Sequence, residues 1–175
     1  MLNDTKLFTN KLLSDTKVIS GGYYYGKQGD QLGIGPVPPV ADIPTSYWIF
    51  WEVDNAGNDL SDFTMSAQLP ENIIFTDNKT LSAGDLEYSL ESKKVSWKLS
   101  QVQKEGEISR VGFEISYTPN TSEVGKIKEL ITDVNYSYND SFCGVIVADE
   151  LQNINTRLSD DKNILSDGVV QNLSL

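Results

Sequence analysis

Four oxygen-bearing side chains fall within nine residues of one another: Asp54, Asn58, Asp59 and Asp62. Carboxylate and amide oxygens in a loop are the ligands that calcium takes in proteins. The spacing does not match an EF-hand loop, and Asp, Asn and Gly in this order are also common turn residues. Calcium binding is therefore one hypothesis for this segment, and an ordinary turn without any cofactor is the alternative.

Aromatic side chains form a second group that could bind a ligand. Tyr23, Tyr24 and Tyr25 are consecutive, and successive side chains of a strand point to opposite faces, so at least one of the three is expected at the surface. Trp51 follows in an aromatic-rich segment. Tyrosine and tryptophan are enriched at interfaces, and their rings also stack on sugars. A ligand site at these four residues is one hypothesis, and packing in the core is the alternative.

A lysine–asparagine amide bond is a third kind of chemistry that a β-sandwich can carry, as in some pilus and adhesin domains. It requires a lysine, an asparagine and an acidic residue together in an apolar core. Lys126, Lys128, Glu129 and Asn135 lie in or beside predicted strands. Their spacing does not single out a triple, so the sequence does not predict such a bond.

Histidine is absent from the 175 residues, and Cys143 is the single cysteine. These facts remove the commonest general base, the commonest metal ligand, an intrachain disulfide and a CxxC redox pair. The sequence therefore predicts a protein that is not an enzyme. Cys143 lies in an alternating segment and is predicted to be a small buried residue. Asp140, Asp160 and Asp161 are predicted to be solvated chain ends.

The formal net charge is −11, from 25 acidic and 14 basic side chains. Nucleic-acid binders need a basic face that displaces counterions, so this charge argues against a nucleic-acid partner. The longest apolar segments fall far short of the 18 or more residues of a membrane helix, so direct membrane insertion is not expected. The first residues lack the order of a signal peptide. We expect the chain to be part of a longer exported protein.

Alternation of apolar and polar residues with a period of two dominates the middle of the chain and predicts strands. A predicted hairpin is the clearest case, because segments 86–90 and 95–99 both alternate and are joined by a polar turn. Further strands are predicted at 47–53, 63–69, 73–75, 111–117, 127–138 and 142–148. Short strands separated by turn residues are typical of an all-β, immunoglobulin-like antiparallel β-sandwich. The predicted organisation is a polar lead-in or linker over 1–14, the sandwich over 15–150 and a C-terminal linker or tail over 151–175.

Several of these segments, taken in order, resemble a known module. They are Gly35–Val40, Tyr47–Val53, Asn55–Asn58, Leu69–Ile73, Val95–Trp97 and Phe113–Pro119. The set is similar to the conserved immunoglobulin-like repeat domain of unknown function that occurs in tandem in bacterial cell-surface proteins. Two departures are Ala41-Asp42-Ile43, where the family has a glycine and an acid, and a charged segment around Gly106.

The resemblance implies a non-catalytic structural or adhesive module, a stalk or spacer repeat, on the outside of a bacterial cell. The partners it implies are neighbouring repeats of the same chain and, beyond those, a cell-surface protein or a glycan. A carbohydrate- or protein-binding sandwich that uses exposed Tyr and Trp side chains is the alternative function. The negative charge suits an exposed, self-repelling stalk.

Overall fold

The computed structural model describes residues 13–173, so residues 1–12 of the lead-in predicted over 1–14 lie outside that range. Within it the chain forms ten strands and one short 3₁₀ turn (Thr121–Glu123). The strands are β1 (Thr16–Tyr23), β2 (Thr45–Asn55), β3 (Leu60–Gln68), β4 (Ile73–Leu81), β5 (Asp85–Ser89), β6 (Lys94–Val102), β7 (Ser109–Tyr117), β8 (Glu129–Asp140), β9 (Val145–Glu150) and β10 (Ile154–Asn155).

These strands form two sheets that face each other. The first sheet has the order β1-β2-β7-β4, and the second has the order β10-β8-β3-β6-β5, with β9 also paired to β8. Every pairing between named strands is antiparallel. The predicted all-β antiparallel sandwich is confirmed, and β5 with β6 is the predicted hairpin.

Alternation along the strands produces the core. On β2 the four apolar or aromatic side chains of the inward face are fully buried: Tyr47, Ile49, Trp51 and Val53. They pack against inward residues of the other strands, among which Phe63, Met65, Trp97 and Phe113 are also fully buried. Two rows of large apolar side chains between the sheets are what a sandwich core requires.

Two strands end later than the alternation predicts. β4 continues to Leu81 through an irregularity between Phe75 and Lys79, so the predicted turn at 77–79 is a bulge. β8 continues to Asp140, because the Asp140 carboxylate accepts hydrogen bonds from the backbone N–H groups of Phe142 and Cys143 and starts the turn there. Cys143 therefore lies in a turn and is partly exposed. The prediction that it is buried in a strand is wrong.

The C-terminal segment (residues 151–173, called the strap below) packs on the sandwich, although the sequence predicts a tail with little to pack against. Ile154, Leu158 and Val170 are buried in the core cluster. The strap adds β10 beside β8, and near its end Gln171 forms a β-bridge with Val40. Burial of apolar side chains fixes this segment although its alternation is weak.

Candidate functional site

The three consecutive tyrosines have different environments at the end of β1. Tyr24 turns into the core with 4% of its surface exposed, and its hydroxyl donates to the Gly35 carbonyl oxygen at 2.6 Å. Tyr23 and Tyr25 remain partly exposed. Burial, and then the negative charges of Asp160 and Glu52, raise the pKa of Tyr23, so its hydroxyl stays neutral.

Trp51 is fully buried on the inward face of β2. Its indole N–H donates to the Ser20 hydroxyl at 3.0 Å, and its ring meets the Phe113 ring edge-on at 5.1 Å. The ring is therefore not available to a ligand at the surface. The core alternative is correct for Trp51, and the residues of this strand that reach the surface are its neighbours.

A row of three partly exposed rings lies on the outward face of the first sheet. We call Tyr23, Phe50 and Trp48 the aromatic stripe. The centroids of Trp48 and Phe50 are 5.9 Å apart with an interplanar angle of 18°, and Tyr23 meets Phe50 at 5.8 Å. The register places Tyr23 beside Trp48 on neighbouring strands. The outward face of a sheet is usually polar, so three adjoining rings there are unusual.

Glycines lie beneath two of these rings. Phe50 is paired with Gly21 on one side and Gly112 on the other. A Cβ atom added at Gly112 would come within 2.4 Å of the Phe50 ring, and one at Gly21 within 2.8 Å of the Tyr23 ring. The two rings therefore lie close over the backbone at these glycines. A side chain at Gly112 or Gly21 would occupy the same space and push the ring away.

A cleft of about 250 Å³ opens at one side of the stripe. Its walls include Tyr23, Tyr25, Leu32 and Phe50. At its rim the Arg110 Nε lies 3.0 Å from a Glu52 carboxylate oxygen. A second cleft of about 540 Å³ adjoins it across Tyr23 and Tyr25 and is bordered by residues 160–163 of the strap.

The four residues of the calcium hypothesis have separate surroundings. Asp54 is exposed near the end of β2, and Asp62 is exposed in β3. Asp59 accepts a hydrogen bond from the Lys104 backbone N–H at 2.7 Å, and the Asn58 amide donates to Asp140. Within residues 13–173 no group of three or more His, Cys, Asp or Glu side chains is arranged to hold a metal ion.

Asp140 is a fully buried carboxylate at the upper pole, the end of the sandwich where β8 finishes. It accepts hydrogen bonds from the Ser14 backbone N–H and hydroxyl, from the Asn58 amide and from the turn that follows β8. Burial alone would raise its pKa, but the hydrogen bonds from Cys143, Asn58 and Ser14 outweigh it and hold the pKa well below the ordinary 3.8. The prediction of a solvated end is wrong for Asp140.

Asp161 is also buried, with 4% of its surface exposed. Its carboxylate accepts the backbone N–H groups of Tyr24 and Tyr25 at 2.9 and 2.7 Å, and also that of Asn163. Asp161 thus ties the strap to the end of β1, and the prediction of a solvated end is wrong for it as well. Asp160 is exposed as predicted.

A lysine, an asparagine and an acid do meet in space, although not the set considered from sequence. Lys128 Nζ lies 2.8 Å from a Glu123 carboxylate oxygen, and the Asn72 amide donates to the same carboxylate at 3.2 Å. Burial raises the pKa of Glu123, but hydrogen bonds from Lys128, Asn120 and Tyr117 outweigh it and lower the pKa overall. The cluster therefore contains an ion pair, and it lies at the lower pole, the end of the sandwich where β8 begins.

Comparison with solved structures finds similarity to bacterial pilin subunits, among other proteins. The BcpA*(D312A) major pilin subunit of Bacillus cereus matches over 81% of this chain and 40% of its own, at 12% identity and a TM-score of 0.48. The full-length major pilin SpaD from Corynebacterium diphtheriae matches over 81% and 34%, at 18% identity and 0.49. The RrgA Jo.In complex matches over 70% and 85%, at 9% identity and 0.43.

This chain thus spans at most two fifths of the length of those two pilins. Similarity at this level concerns the fold and says nothing about a ligand. No protein-family model and no curated protein matches the sequence. Within residues 13–173 there is no helix of the length and apolar character needed to cross a membrane.

Proposed function

We propose that this chain is a non-catalytic structural module, a stalk or spacer unit of a larger bacterial cell-surface protein whose partners are neighbouring units. The path of the chain carries the proposal. It enters at the upper pole, where Ser14 is bonded to Asp140. It leaves at the lower pole, where Gln171 exchanges backbone hydrogen bonds with Pro39 and Ala41. β8 joins the two poles over 12 residues, or about 40 Å at the usual rise of a strand.

Both attachment points suit a unit that is pulled along its axis. β1 runs downward from the upper pole and is paired with β2 over all of its eight residues. Tension on Ser14 would therefore slide β1 lengthwise along β2 and stretch their hydrogen bonds together. At the other end, Val170 and Gln171 exchange hydrogen bonds with segments 125–126 and 39–41.

The buried carboxylates also fit a structural role. Asp140 and Asp161 are saturated by hydrogen bonds from the chain itself, and Glu123 is held by Lys128. Glu114 is buried beneath the outward face, where Thr76 and Asn78 donate to it at 2.8 and 2.6 Å. Groups that the fold already satisfies stabilise particular turns and strand ends.

Force spectroscopy tests the axial role. Handles attached at Ser14 and Gln171 pull along the axis, whereas handles at Lys17 and Asp54, which face each other across β1 and β2, peel the two strands apart. We expect a markedly higher unfolding force along the axis. Equal forces in the two geometries would contradict the spacer proposal.

Surface location needs a separate experiment. Antibodies raised against the folded module are applied to intact and to permeabilised cells of the organism that carries the gene, with an antibody to a cytosolic protein as control. Staining of intact cells is expected. Staining that requires permeabilisation would overturn the surface location, whatever the force measurements give.

A further inference from the structure

We propose that the outward face of the first sheet is a binding site for a neutral saccharide chain, with the aromatic stripe stacking on sugar rings and the Glu52–Arg110 pair bonding their hydroxyl groups. This goes beyond the structural role, because a spacer does not need a ligand. The site includes Phe50 and Trp48 in place of Trp51, the residue that the sequence suggested.

The first argument is the shape of the stripe. The Trp48 and Phe50 rings are stacked within 18° of parallel, and the Tyr23 ring meets Phe50 edge-on at 5.8 Å, so the three rings adjoin one another on the outward face. Gly112 and Gly21 let the rings of Phe50 and Tyr23 lie close over the backbone. A sugar ring has a flat apolar face of C–H groups that packs on aromatic rings, while an aliphatic side chain would offer no comparable plane.

The second argument is the polar frame around the rings. Successive outward positions along β2 are Trp48, Phe50 and Glu52, and Arg110 of β7 is paired across from Glu52. Within residues 13–173 the Arg110 guanidinium contacts Glu52 through Nε. Arginine carries five N–H donors, so most of its donors remain for a ligand. A sugar is bound by stacking on an aromatic ring and by hydrogen bonds to its hydroxyl groups, and the rings and the Glu52–Arg110 pair supply these two interactions. The adjoining cleft of about 250 Å³ extends the site past Tyr23.

Charge and size select the saccharide over other partners. A chain with a net charge of −11 repels anionic polymers such as nucleic acids and acidic glycans. A stable protein–protein interface buries about 800 Å² on each partner around an apolar centre. The stripe has three rings and is closed on one side by the Glu52–Arg110 pair, so it lacks the wide apolar centre that such an interface has. A neutral saccharide is not repelled by the net negative charge, and it needs only a small aromatic surface.

The test is a glycan array followed by titration calorimetry with the best neutral oligosaccharide. The variants are Trp48→Ala and Phe50→Ala, and the matched controls are Thr64→Ala and Lys98→Ala on the outward face of the second sheet. We expect binding to at least one neutral glycan, weakened about tenfold or more by either stripe variant and unchanged by the controls. Trp48 is also partly exposed while Trp51 and Trp97 are fully buried, so a change in tryptophan fluorescence on binding should be lost in Trp48→Ala.

Three outcomes would overturn the proposal. The first is no binding to any neutral glycan of the array, and the second is binding that both stripe variants leave intact. The third is self-association of the wild-type chain that Trp48→Ala abolishes, since the stripe would then be a contact between copies. Circular dichroism of each variant, compared with wild type, shows that a lost signal is not an unfolded protein. None of these outcomes bears on the axial force measurement.

Discussion

The two outward faces of the sandwich differ in composition. Across the second sheet one row of neighbouring residues reads Glu87, Ser96, Ser66 and Asn135, and every member is polar. Across the first sheet the corresponding kind of row reads Gly21, Phe50, Gly112 and Thr80. The second sheet shows that this fold forms with an entirely polar outward row across its central strands. The rings of the first sheet are thus an addition to what folding requires.

The inward faces, in contrast, are alike in both sheets. Trp51 of the first and Trp97 of the second are fully buried, and each indole N–H has an acceptor, at 3.0 Å in both cases. Folding energy therefore comes from the inside of the sandwich, and the exterior of the first sheet is available for other uses. The predictions below test this division.

The largest effect is expected for Trp51→Ala. Removing a fully buried indole costs about 3–5 kcal/mol of unfolding free energy, because a cavity remains and the Ser20 hydroxyl loses its donor. The matched control is Trp48→Ala, the same change on the outward face of the same strand, which should cost about 1 kcal/mol. Urea unfolding followed by circular dichroism measures both. If Trp51→Ala does not fold, Trp51→Phe gives a smaller loss of the same sign. Equal costs at the two positions would contradict the division between interior and exterior.

The second largest effect is expected for Asp140→Asn at the upper pole. This change should lower the free energy of unfolding by about 2–3 kcal/mol at pH 7. The charge-assisted hydrogen bonds from Ser14, Asn58 and the turn after β8 would all weaken together. The pKa of Asp140 is lower in the folded chain than its ordinary 3.8. Its contribution is therefore fully present above the unfolded pKa and is lost as the pH falls below about 4 toward the folded pKa.

Urea midpoints of wild type and Asp140→Asn between pH 7 and pH 2.5 check this. The difference between the two proteins should shrink as the pH falls. Asp149→Asn, a change at an exposed position of β9, is the control and should be nearly neutral. A difference that stays constant down to pH 2.5 would show that the carboxylate charge of Asp140 contributes nothing.

The alternation of residues was enough to predict the sheets but not the poles. The hairpin of β5 and β6 follows from its alternation. Segment 47–53 is apolar at every position except Glu52, so the sequence predicts a strand there but does not decide which face is inward. Asp140 and Asp161 could not be recognised, because their partners Ser14 and Tyr24 lie 126 and 137 residues away. A single aspartate in a turn-rich segment has the same local signature whether it is solvated or buried.

The packing of the strap and the exposure of the aromatic stripe could not be predicted from the sequence, for related reasons. Ile154 and Leu158 are each flanked by polar residues, and Val170 follows another valine, so no period marks these three buried residues. Trp48 and Phe50 are two residues apart in the predicted strand 47–53, so they share one of its faces. Their exposure could not be judged, because it depends on what covers the sheet, and the glycines beneath the rings come from β1 and β7.

A third effect, of about 1–2 kcal/mol, is expected for Asp161→Asn. The amide retains one acceptor, but the charge that holds the Tyr24 and Tyr25 N–H groups is lost. Local opening of the strap should increase more than global unfolding, so limited proteolysis should cut residues 157–168 sooner than in wild type. Asp160→Asn, at the exposed neighbouring position, is the control. Equal cleavage rates in both variants would show that Asp161 does not hold the strap.

The smallest effect on stability, and the most specific to the outward face of the first sheet, is expected for Gly112→Ala. The added methyl group would lie 2.4 Å from the Phe50 ring and 2.9 Å from Thr80 Cγ2, so the ring must move. Both neighbours are side chains that can shift, and alanine loses less entropy than glycine in a strand. The change in unfolding free energy should therefore stay within about 1 kcal/mol.

The near-ultraviolet circular dichroism spectrum of Gly112→Ala should change nonetheless, because Phe50 stacks on Trp48 at 5.9 Å. Ser96→Ala, at an outward position of the second sheet, should change neither quantity. An unaltered near-ultraviolet spectrum in Gly112→Ala would show that the glycine does not determine how the Phe50 ring lies.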